Sequence, residues 1–186
     1  MEHVDRTNRQ YDQALESCRK VFLDKSRDYG TSWRALRTVS VADQIYIKAQ
    51  RIRTIQEKGS QRIGDSIASE FSGIVNYSVI GLIQLELDRA PLEELPLDEV
   101  SNLYDRKAAE ARALMLDKNH DYGEAWRAMS QESFADLILA KVLRIRQILA
   151  NEGRTISSEG VGSNFHDILN YALFALVLIA EGRHRG

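Results

Sequence analysis

Apolar residues recur at helical spacing along most of the chain. Tyr11, Leu15, Cys18 and Phe22 trace one face of a first run, and isoleucines repeat in the same way through residues 40–58. This is the 3.6-residue period of amphipathic α-helices. No segment shows sustained alternation of apolar and polar residues between turn signals. The pattern therefore predicts an all-α protein without a β-sheet.

Two further runs, Ile67–Leu87 and Asn164–Glu181, are apolar on nearly every side, which is typical of buried central helices. Gly30 and Gly123 are placed to end the helices that precede them. Thr31 and Ser32 are candidates to cap a short turn around Trp33. The segments SVAD (40–43) and SFAD (133–136) have the Ser-x-x-acid spacing of a capping box, which predicts a helix start at each serine.

The chain contains an internal duplication. DKSRDYGTSW at 24–33 returns as DKNHDYGEAW at 117–126, and residues 11–55 share 21 identities in 45 gapless positions with residues 104–148. Such self-similarity is typical of repeat architectures. We expect two helical repeats that pack their last helices together about a pseudo-twofold axis, as a helical bundle.

A one-residue insertion in the second copy realigns FSGIVNY (71–77) with FHDILNY (165–171), so the repeat covers almost the whole chain. Both prolines, Pro91 and Pro96, fall between the copies, where neither helix is able to continue. We therefore predict a first repeat at 1–90, a proline linker at 91–97 and a second repeat at 98–186. The two repeats are expected to form one compact unit.

Composition narrows the classes of partner. The 186 residues carry 25 basic and 27 acidic side chains, a formal net charge of −2, so no basic face for free nucleic acid is expected. The longest apolar stretch falls short of a membrane span, and no membrane partner is expected. The single cysteine, Cys18, has no disulfide partner in the chain and indicates a reducing compartment. A cytoplasmic location follows as the expectation.

Asp28 and Asp121 occupy equivalent places in the last turn of a predicted helix. The helix dipole disfavours an anion there by about 0.3–1 kcal/mol, so another interaction must offset that cost. The aspartates are either metal ligands or carboxylates directed at a substrate, or they form ion pairs with Lys25 or Arg34. For Asp43 and Asp136 the capping box explains the spacing more simply than a functional role does.

Two pairs of cations, Lys48 with Arg51 and Lys141 with Arg144, each share one helical face close to the isoleucine stripe. Two cations on a partly buried face repel each other unless an anion joins them. That anion is either a phosphate of a ligand or a carboxylate of the neighbouring helix.

Asn76 and Asn170 interrupt the most apolar helices, and a buried amide must be hydrogen-bonded. They either tie helices together across the pseudo-twofold axis or recognise the edge of a base or ribose.

These residues together carry a family resemblance. DYG followed by an aromatic residue, then D-x4-K-x2-R on a helix, then an acidic, serine-containing loop leading to NY in an apolar helix, resembles the nucleotide modification associated domain 1 family. That family is similar in pattern to the MazG-like all-α nucleoside triphosphate pyrophosphohydrolases. The resemblance covers both copies and implies an all-helical fold with a role around nucleotides.

The resemblance also implies Mg²⁺ held by helix carboxylates. The MazG-like Glu-Glu-x-x-Glu cluster is absent from the first helices. Related sequences place further acids four and eight positions after the first, whereas the first copy has only Asp65 and the second has Glu159 and Asp167. The implied metal ligands are Asp28, Asp121, Glu159, Asp167 and Asp65. The implied substrate-binding residues are Lys48, Arg51, Lys141, Arg144, Tyr29, Tyr122, Trp33, Trp126, Asn76 and Asn170.

Three hypotheses follow from the sequence. The first is a Mg²⁺-dependent nucleotide pyrophosphohydrolase or related nucleotide-processing enzyme, in which the cations of the second predicted helix neutralise phosphate charge. The second is a non-catalytic helical domain that binds a nucleotide, a nucleotide-like small molecule or a protein. In the third the repeated polar residues are purely structural. The chain is expected to be a monomeric pseudo-dimer or a homodimer.

Overall fold

The computed structural model of the chain describes residues 2–87, 92, 94–155 and 159–186, with the backbone alone for residues 2–4. Six long helices account for most of this part, and no strand occurs in it, so the prediction of an all-α fold is confirmed. The helices are α1 (Glu2–Tyr29), α2 (Thr38–Lys58), α3 (Ile67–Glu86), α4 (Leu97–Tyr122), α5 (Gln131–Ala150) and α6 (Val161–Ala180).

The predicted ends of the first helix in each repeat are confirmed. Gly30 and Gly123 follow the last residues of α1 and α4 with φ of 63° and 62°, a left-handed conformation that glycine adopts without steric cost. Short 3₁₀ turns then follow at Ser32–Ala35 and Ala125–Ala128. Of the predicted linker, Pro91 and Glu93 lie outside the described residues.

The predicted capping boxes are wrong. Helix α2 begins at Thr38, so Ser40 lies inside it. Helix α5 is capped by Ser130, whose hydroxyl accepts a hydrogen bond from the backbone N–H of Ser133 at 3.2 Å. Asp43 and Asp136, the acids of these two motifs, are therefore not at the third position of a helix and do not act as capping residues. The hydroxyl of Thr31, the expected cap of the first 3₁₀ turn, instead accepts from the backbone N–H of Leu95 at 3.0 Å.

Helices α2, α3, α5 and α6 form the centre of the bundle, and α1 and α4 lie across α3 and α6. Helices α2 and α5 run antiparallel. Asp43 near the start of α2 pairs with Arg146 near the end of α5 at 2.6 Å, and Arg53 pairs with Asp136 at 3.8 Å. These equivalent contacts are related by the pseudo-twofold axis, and they give Asp43 and Asp136 their structural role.

A second pair of equivalent contacts joins the repeats in the core. The Tyr11 hydroxyl of α1 donates to Oδ1 of Asn170 in α6 at 2.7 Å, and the Tyr104 hydroxyl of α4 donates to Asn76 in α3 at 2.8 Å. Each asparagine also donates from Nδ2 to a backbone carbonyl of its own repeat's first helix at 3.0 Å. Of the two alternatives for these asparagines, the structure shows the tie between helices.

Helices α3 and α6 make the most extensive contact of the bundle. Their approach is close at Gly81, where an added Cβ would lie 2.7 Å from the ring of Phe165. Helix α6 is long and apolar enough to span a membrane by length and composition alone, and 67% of its most apolar window is buried inside the bundle. That burial is what a central helix of a packed core shows.

Candidate functional site

The four predicted cations lie on one face of each repeat. Lys48 and Arg51 of α2 face α3, and Lys141 of α5 faces α6. These three side chains are partly buried, whereas Arg144, one turn further along α5, is exposed. The face is formed by the second and third helices of each repeat, and in the second repeat Lys118 from the end of the first helix joins it.

In the first repeat the cations are joined by a carboxylate of the neighbouring helix. Glu70 is buried, and its two oxygens accept from Arg51 at 2.6 Å and from Lys48 at 3.4 Å. A second guanidinium nitrogen of Arg51 donates to the backbone carbonyls of Ile63 and Asp65, at 3.3 and 2.9 Å. Both cations of this pair therefore have a partner within the protein.

Gly73 makes room for this arrangement. A Cβ at this position would lie 2.8 Å from Cε and 3.1 Å from Nζ of Lys48. The lysine side chain therefore lies directly over the glycine backbone on its way to Glu70. A larger residue at position 73 would move Lys48 away from that carboxylate.

In the second repeat the carboxylate comes from a different turn of the helix. Asp167 of α6 is buried and accepts from Lys118 at 2.5 Å and from Lys141 at 2.7 Å. Burial by itself would raise the pKa of Asp167, but the two lysine hydrogen bonds outweigh it and hold the pKa below its ordinary value. Asp167 is therefore ionised at neutral pH and holds two ammonium groups at one place.

Arg144 differs from its equivalent, Arg51. It is exposed, and within the described residues it makes no hydrogen bond or ion pair with an acid. Its charge acts on Tyr171: burial and the charge of Asp167 raise the pKa of the phenol, and the charges of Lys118 and Arg144 act in the opposite direction. The second repeat thus has an exposed guanidinium one helical turn beyond Lys141, where the first repeat has a guanidinium paired with Glu70.

The difference between the repeats follows from two aligned positions. Where the first repeat has Glu70 the second has Asn164, and where the first has Gly73 the second has Asp167. The amide of Asn164 donates to the carbonyl of Gly160 at 2.9 Å, which is a local contact within the helix. The acid has therefore moved by one helical turn between the copies.

The predicted residues at the end of the first helices lie on the surface. Asp28 and Tyr29 are exposed, as are Asp121 and Tyr122. Asp121 lies 3.1 Å from Nδ1 of His120, and within the described residues Asp28 has no polar partner. Neither predicted ion pair of Asp28, with Lys25 or with Arg34, is present.

The two tryptophans belong to the packing of the 3₁₀ turns. Trp126 is buried, stacks on Phe174 with ring centroids 4.2 Å apart, and is covered by the guanidinium of Arg127 at 4.4 Å. Trp33 is partly buried and packs near Phe22 with centroids 6.2 Å apart. Stacking of this kind stabilises the turn that leads into α2 and α5.

The carboxylates named for Mg²⁺ are not gathered in the described part of the chain. No three acidic, histidine or cysteine side chains there are grouped around one possible cation position. Both oxygens of Asp167 already accept from ammonium groups, while Asp65 and Glu159 are exposed. As arranged, this donor set does not fit Mg²⁺, which prefers octahedral oxygen coordination.

One symmetric feature was not singled out from the sequence. Arg19 pairs with Asp105, and Arg112 with Asp12, each at 2.7 Å, on the two sides of a groove of about 380 Å³ between α1 and α4. All four residues are identical between the repeats at the same 93-residue offset. That comparison was sufficient to find them, but it gives no indication that they pair across the repeats.

Comparison with protein families agrees with this reading of the repeats. The family described as nucleotide modification associated domain 1 matches the chain twice, at residues 25–85 and 118–179. The chain belongs to this family. The two matches confirm the tandem duplication, and each includes the second and third helices that carry the cation clusters. Neither a curated protein nor a solved structure matches the chain.

Proposed function

We propose that this member of the nucleotide modification associated domain 1 family binds the phosphate groups of a nucleotide or nucleotide-like molecule in its second repeat. The observation that carries the proposal is Arg144, an exposed guanidinium with no acidic partner among the described residues. It lies one helical turn beyond Lys141, whose ammonium group meets that of Lys118 at Asp167. The family's description, which refers to nucleotide modification, supports the same class of ligand.

The charges of this cluster suit an oxyanion. Lys118 and Lys141 place two positive charges on the buried carboxylate of Asp167, which draws the two lysines together before any ligand arrives, and Arg144 adds a third charge one helical turn beyond Lys141. A guanidinium binds a phosphate through two parallel hydrogen bonds, and charge-assisted bonds of this kind are about twice as strong as neutral ones. Asp167 therefore acts as a positioning residue for the lysines.

Stacking of a base has a candidate partner at the same place. Tyr171 is half-buried and lies one helical turn beyond Asp167 on α6, and the charges of Asp167 and Arg144 both act on its pKa. Aromatic rings and guanidinium planes both accept a nucleobase face. A nucleotide with its phosphates on Arg144 and Lys118 would place its base within the same surface region.

Pyrophosphate hydrolysis is the second candidate function. It is favoured by the charge of Glu159. Burial acts to lower the pKa of Lys118, but the hydrogen bond to Asp167 and, more weakly, the charges of Asp167, Tyr171 and Glu159 raise it. Glu159 and Asp167 are the two acids of the second repeat that the resemblance to MazG-like enzymes implies as Mg²⁺ ligands. The lysines of Asp167 would have to exchange for Mg²⁺ before a metal could bind there.

The thermal stability of the chain with a panel of ribo- and deoxyribonucleoside triphosphates tests the proposal. Ligand at 100 times its Kd stabilises the folded state by about 2.7 kcal/mol, so a bound nucleotide raises the melting temperature. Arg144→Gln should weaken this effect, with Kd raised about tenfold or more. Arg154→Gln is the matched control, because Arg154 is exposed in a loop and, among the described residues, forms its ion pair with the nearby Glu152.

The panel is measured both with Mg²⁺ and with a chelator, and pyrophosphate release is followed in parallel. Stabilisation without pyrophosphate release in either condition indicates a binding protein. Release that requires Mg²⁺ indicates the enzyme. Asp121→Asn loses the stabilisation only if Asp121 itself, and not Lys118 alone at this end of α4, contributes to ligand binding. No stabilisation by any nucleotide would overturn the proposal.

A further inference from the structure

The first repeat contains a cation pair, Lys48 and Arg51, equivalent to Lys141 and Arg144 of the second repeat. Both cations of the first repeat form ion pairs with Glu70. We propose that the carboxylate of Glu70 occupies a latent oxyanion site in the first repeat, so that the chain binds phosphate at one site where its duplicated sequence provides two. This inference rests on the proposed function of the second repeat for the class of ligand. Its own evidence is the contrast between Glu70 and Asn164.

The contacts of Glu70 are those expected of a bound oxyanion. One oxygen accepts from Arg51 at 2.6 Å and the other lies 3.4 Å from Lys48, so the carboxylate bridges the two cations of α2. The side chain of Glu70 is 8% exposed, and those of Arg51 and Lys48 are 22% and 27% exposed. The cations thus remain at the surface while the acid fills the space between them from the protein side.

Arg51 is held ready for such an anion by contacts that do not involve Glu70. Its second terminal nitrogen donates to the carbonyls of Ile63 and Asp65 in the loop before α3. These bonds fix the plane of the guanidinium with its other nitrogen directed at Glu70. Removal of the carboxylate would leave an oriented donor facing a vacant position.

The second repeat shows how the site looks without this carboxylate. Asn164 stands at the position of Glu70 and turns its amide to the carbonyl of Gly160. Arg144, at the position of Arg51, is then exposed with no acidic partner in the described part of the chain. A neutral residue at this one position therefore accompanies a free guanidinium.

Gly73 explains why Lys48 is not bound in the way that Lys141 is bound in the second repeat. Asp167, its equivalent, draws Lys141 towards the helix and away from the position of Asn164. Because residue 73 is a glycine, Lys48 lies over it and reaches Glu70 instead. Both cations of the first repeat are consequently paired with the single carboxylate of Glu70.

The substitution Glu70→Asn introduces the residue found at the equivalent position and tests the inference. Isothermal titration with inorganic tripolyphosphate, at low salt and with a chelator present, counts the oxyanion sites of each variant. We expect one site for the native chain and two for Glu70→Asn. Glu70→Asn combined with Arg51→Gln should return to one site, because the newly available guanidinium has been removed.

Asp43→Asn is the matched control for loss of an acid paired with an arginine. Asp43 pairs with Arg146 between α2 and α5 and lies outside the cluster, so this variant should keep one site. If Glu70→Asn loses its helical circular dichroism, Glu70→Gln takes its place. Tripolyphosphate should then raise the melting temperature of Glu70→Gln by more than that of the native chain, and equal shifts would overturn the inference.

The possible counts separate this inference from the proposed function. One site in both the native chain and Glu70→Asn would overturn the role of Glu70 and leave the second-repeat site standing. No site in the native chain but one in Glu70→Asn would support the role of Glu70 and overturn the proposed function. Two sites in the native chain, or none in either protein, would overturn the inference.

Discussion

At the scale of residues, the buried polar groups of the core are tyrosine–asparagine pairs that cross between the repeats. Asn170 and Asn76 each accept a hydrogen bond from a tyrosine hydroxyl on the first helix of the other repeat. Each also donates a hydrogen bond to a backbone carbonyl on the first helix of its own repeat. Because all of these groups are buried, removal of one leaves its partners without hydrogen bonds. The pairs therefore fix the relative position of the two repeats.

Asn170→Leu should lower the free energy of unfolding by about 1–3 kcal/mol, the cost of leaving buried polar groups unpaired. The groups concerned are the Tyr11 hydroxyl and the Ala111 carbonyl. Urea unfolding followed by circular dichroism measures the loss. Asn102→Leu, on the exposed side of α4, is the control and should change stability by less than about 0.5 kcal/mol. Equal effects of the two substitutions would contradict the tie.

Asp167 should make stability depend on pH in the acid range. Its pKa is lower in the folded chain than in the unfolded chain, because of the bonds from Lys118 and Lys141. The ion pairs therefore contribute fully above about pH 4, the unfolded value, and are lost as the pH falls through the folded value. The melting temperature of the native chain should fall more steeply below pH 4 than that of Asp167→Asn.

The control for this pH series is Asp136→Asn. Asp136 is 61% exposed and lies 3.8 Å from Arg53, so its variant should follow the native curve. Parallel curves for the native chain and Asp167→Asn would show that Asp167 is not held ionised by the lysines.

The residue-scale contacts were only partly predictable from the sequence. The hydrogen bonds of Asn76 and Asn170 between helices were one of two alternatives. A buried amide must be hydrogen-bonded, but the sequence does not show to which group. A carboxylate neutralising Lys48 was likewise one of two, but nothing in the spacing indicated that Glu70 serves the first repeat and Asp167 the second. Which turn of one helix meets a cation on another depends on how the helices cross, and a single sequence does not contain that information.

At the scale of elements, the most extensive contact between the repeats is that of α3 with α6. Gly81 allows the ring of Phe165 to lie against the α3 backbone. The sequence predicted these two helices well, since they are apolar on nearly every side. The predicted starts of α2 and α5 were wrong, because the Ser-x-x-acid spacing occurs within helices as well as at their first turns.

Gly81→Ala should destabilise the chain by about 1–3 kcal/mol, because the added methyl group would lie 2.7 Å from the Phe165 ring and force it to move. The higher helix propensity of alanine offsets part of that cost. Gly162→Ala in the first turn of α6 is the control, since its nearest neighbour would be Leu85 at 3.9 Å. Chemical denaturation should show the first variant destabilised and the control unchanged or more stable.

At the scale of the whole molecule, the two repeats share one core. Helices α3 and α6 contact each other more extensively than either contacts α1 or α4, and α2 packs on α5. No repeat could keep its third helix buried without the other. The 93-residue offset in the sequence predicted this pseudo-twofold arrangement, since two copies of one amphipathic pattern bury equivalent faces against each other.

The chain should therefore unfold in a single cooperative transition. Each repeat has one tryptophan, so Trp33→Phe and Trp126→Phe leave a fluorescence probe in one repeat only. Within each variant, the urea midpoint from fluorescence should equal the midpoint from circular dichroism. If the fluorescence midpoint differs from the circular dichroism midpoint within a variant, and in opposite directions in the two variants, the repeats unfold independently.

The central claim is that the second repeat, and not the first, receives the ligand's phosphates. The most direct measurement is chemical-shift mapping of the ¹⁵N-labelled chain during titration with the nucleotide that gives the largest thermal stabilisation. We predict that the largest shift changes occur around Lys118, Lys141, Arg144 and Tyr171, with the surroundings of Glu70 unchanged. Changes centred on Lys48 and Arg51, or in the groove between α1 and α4, would contradict the claim.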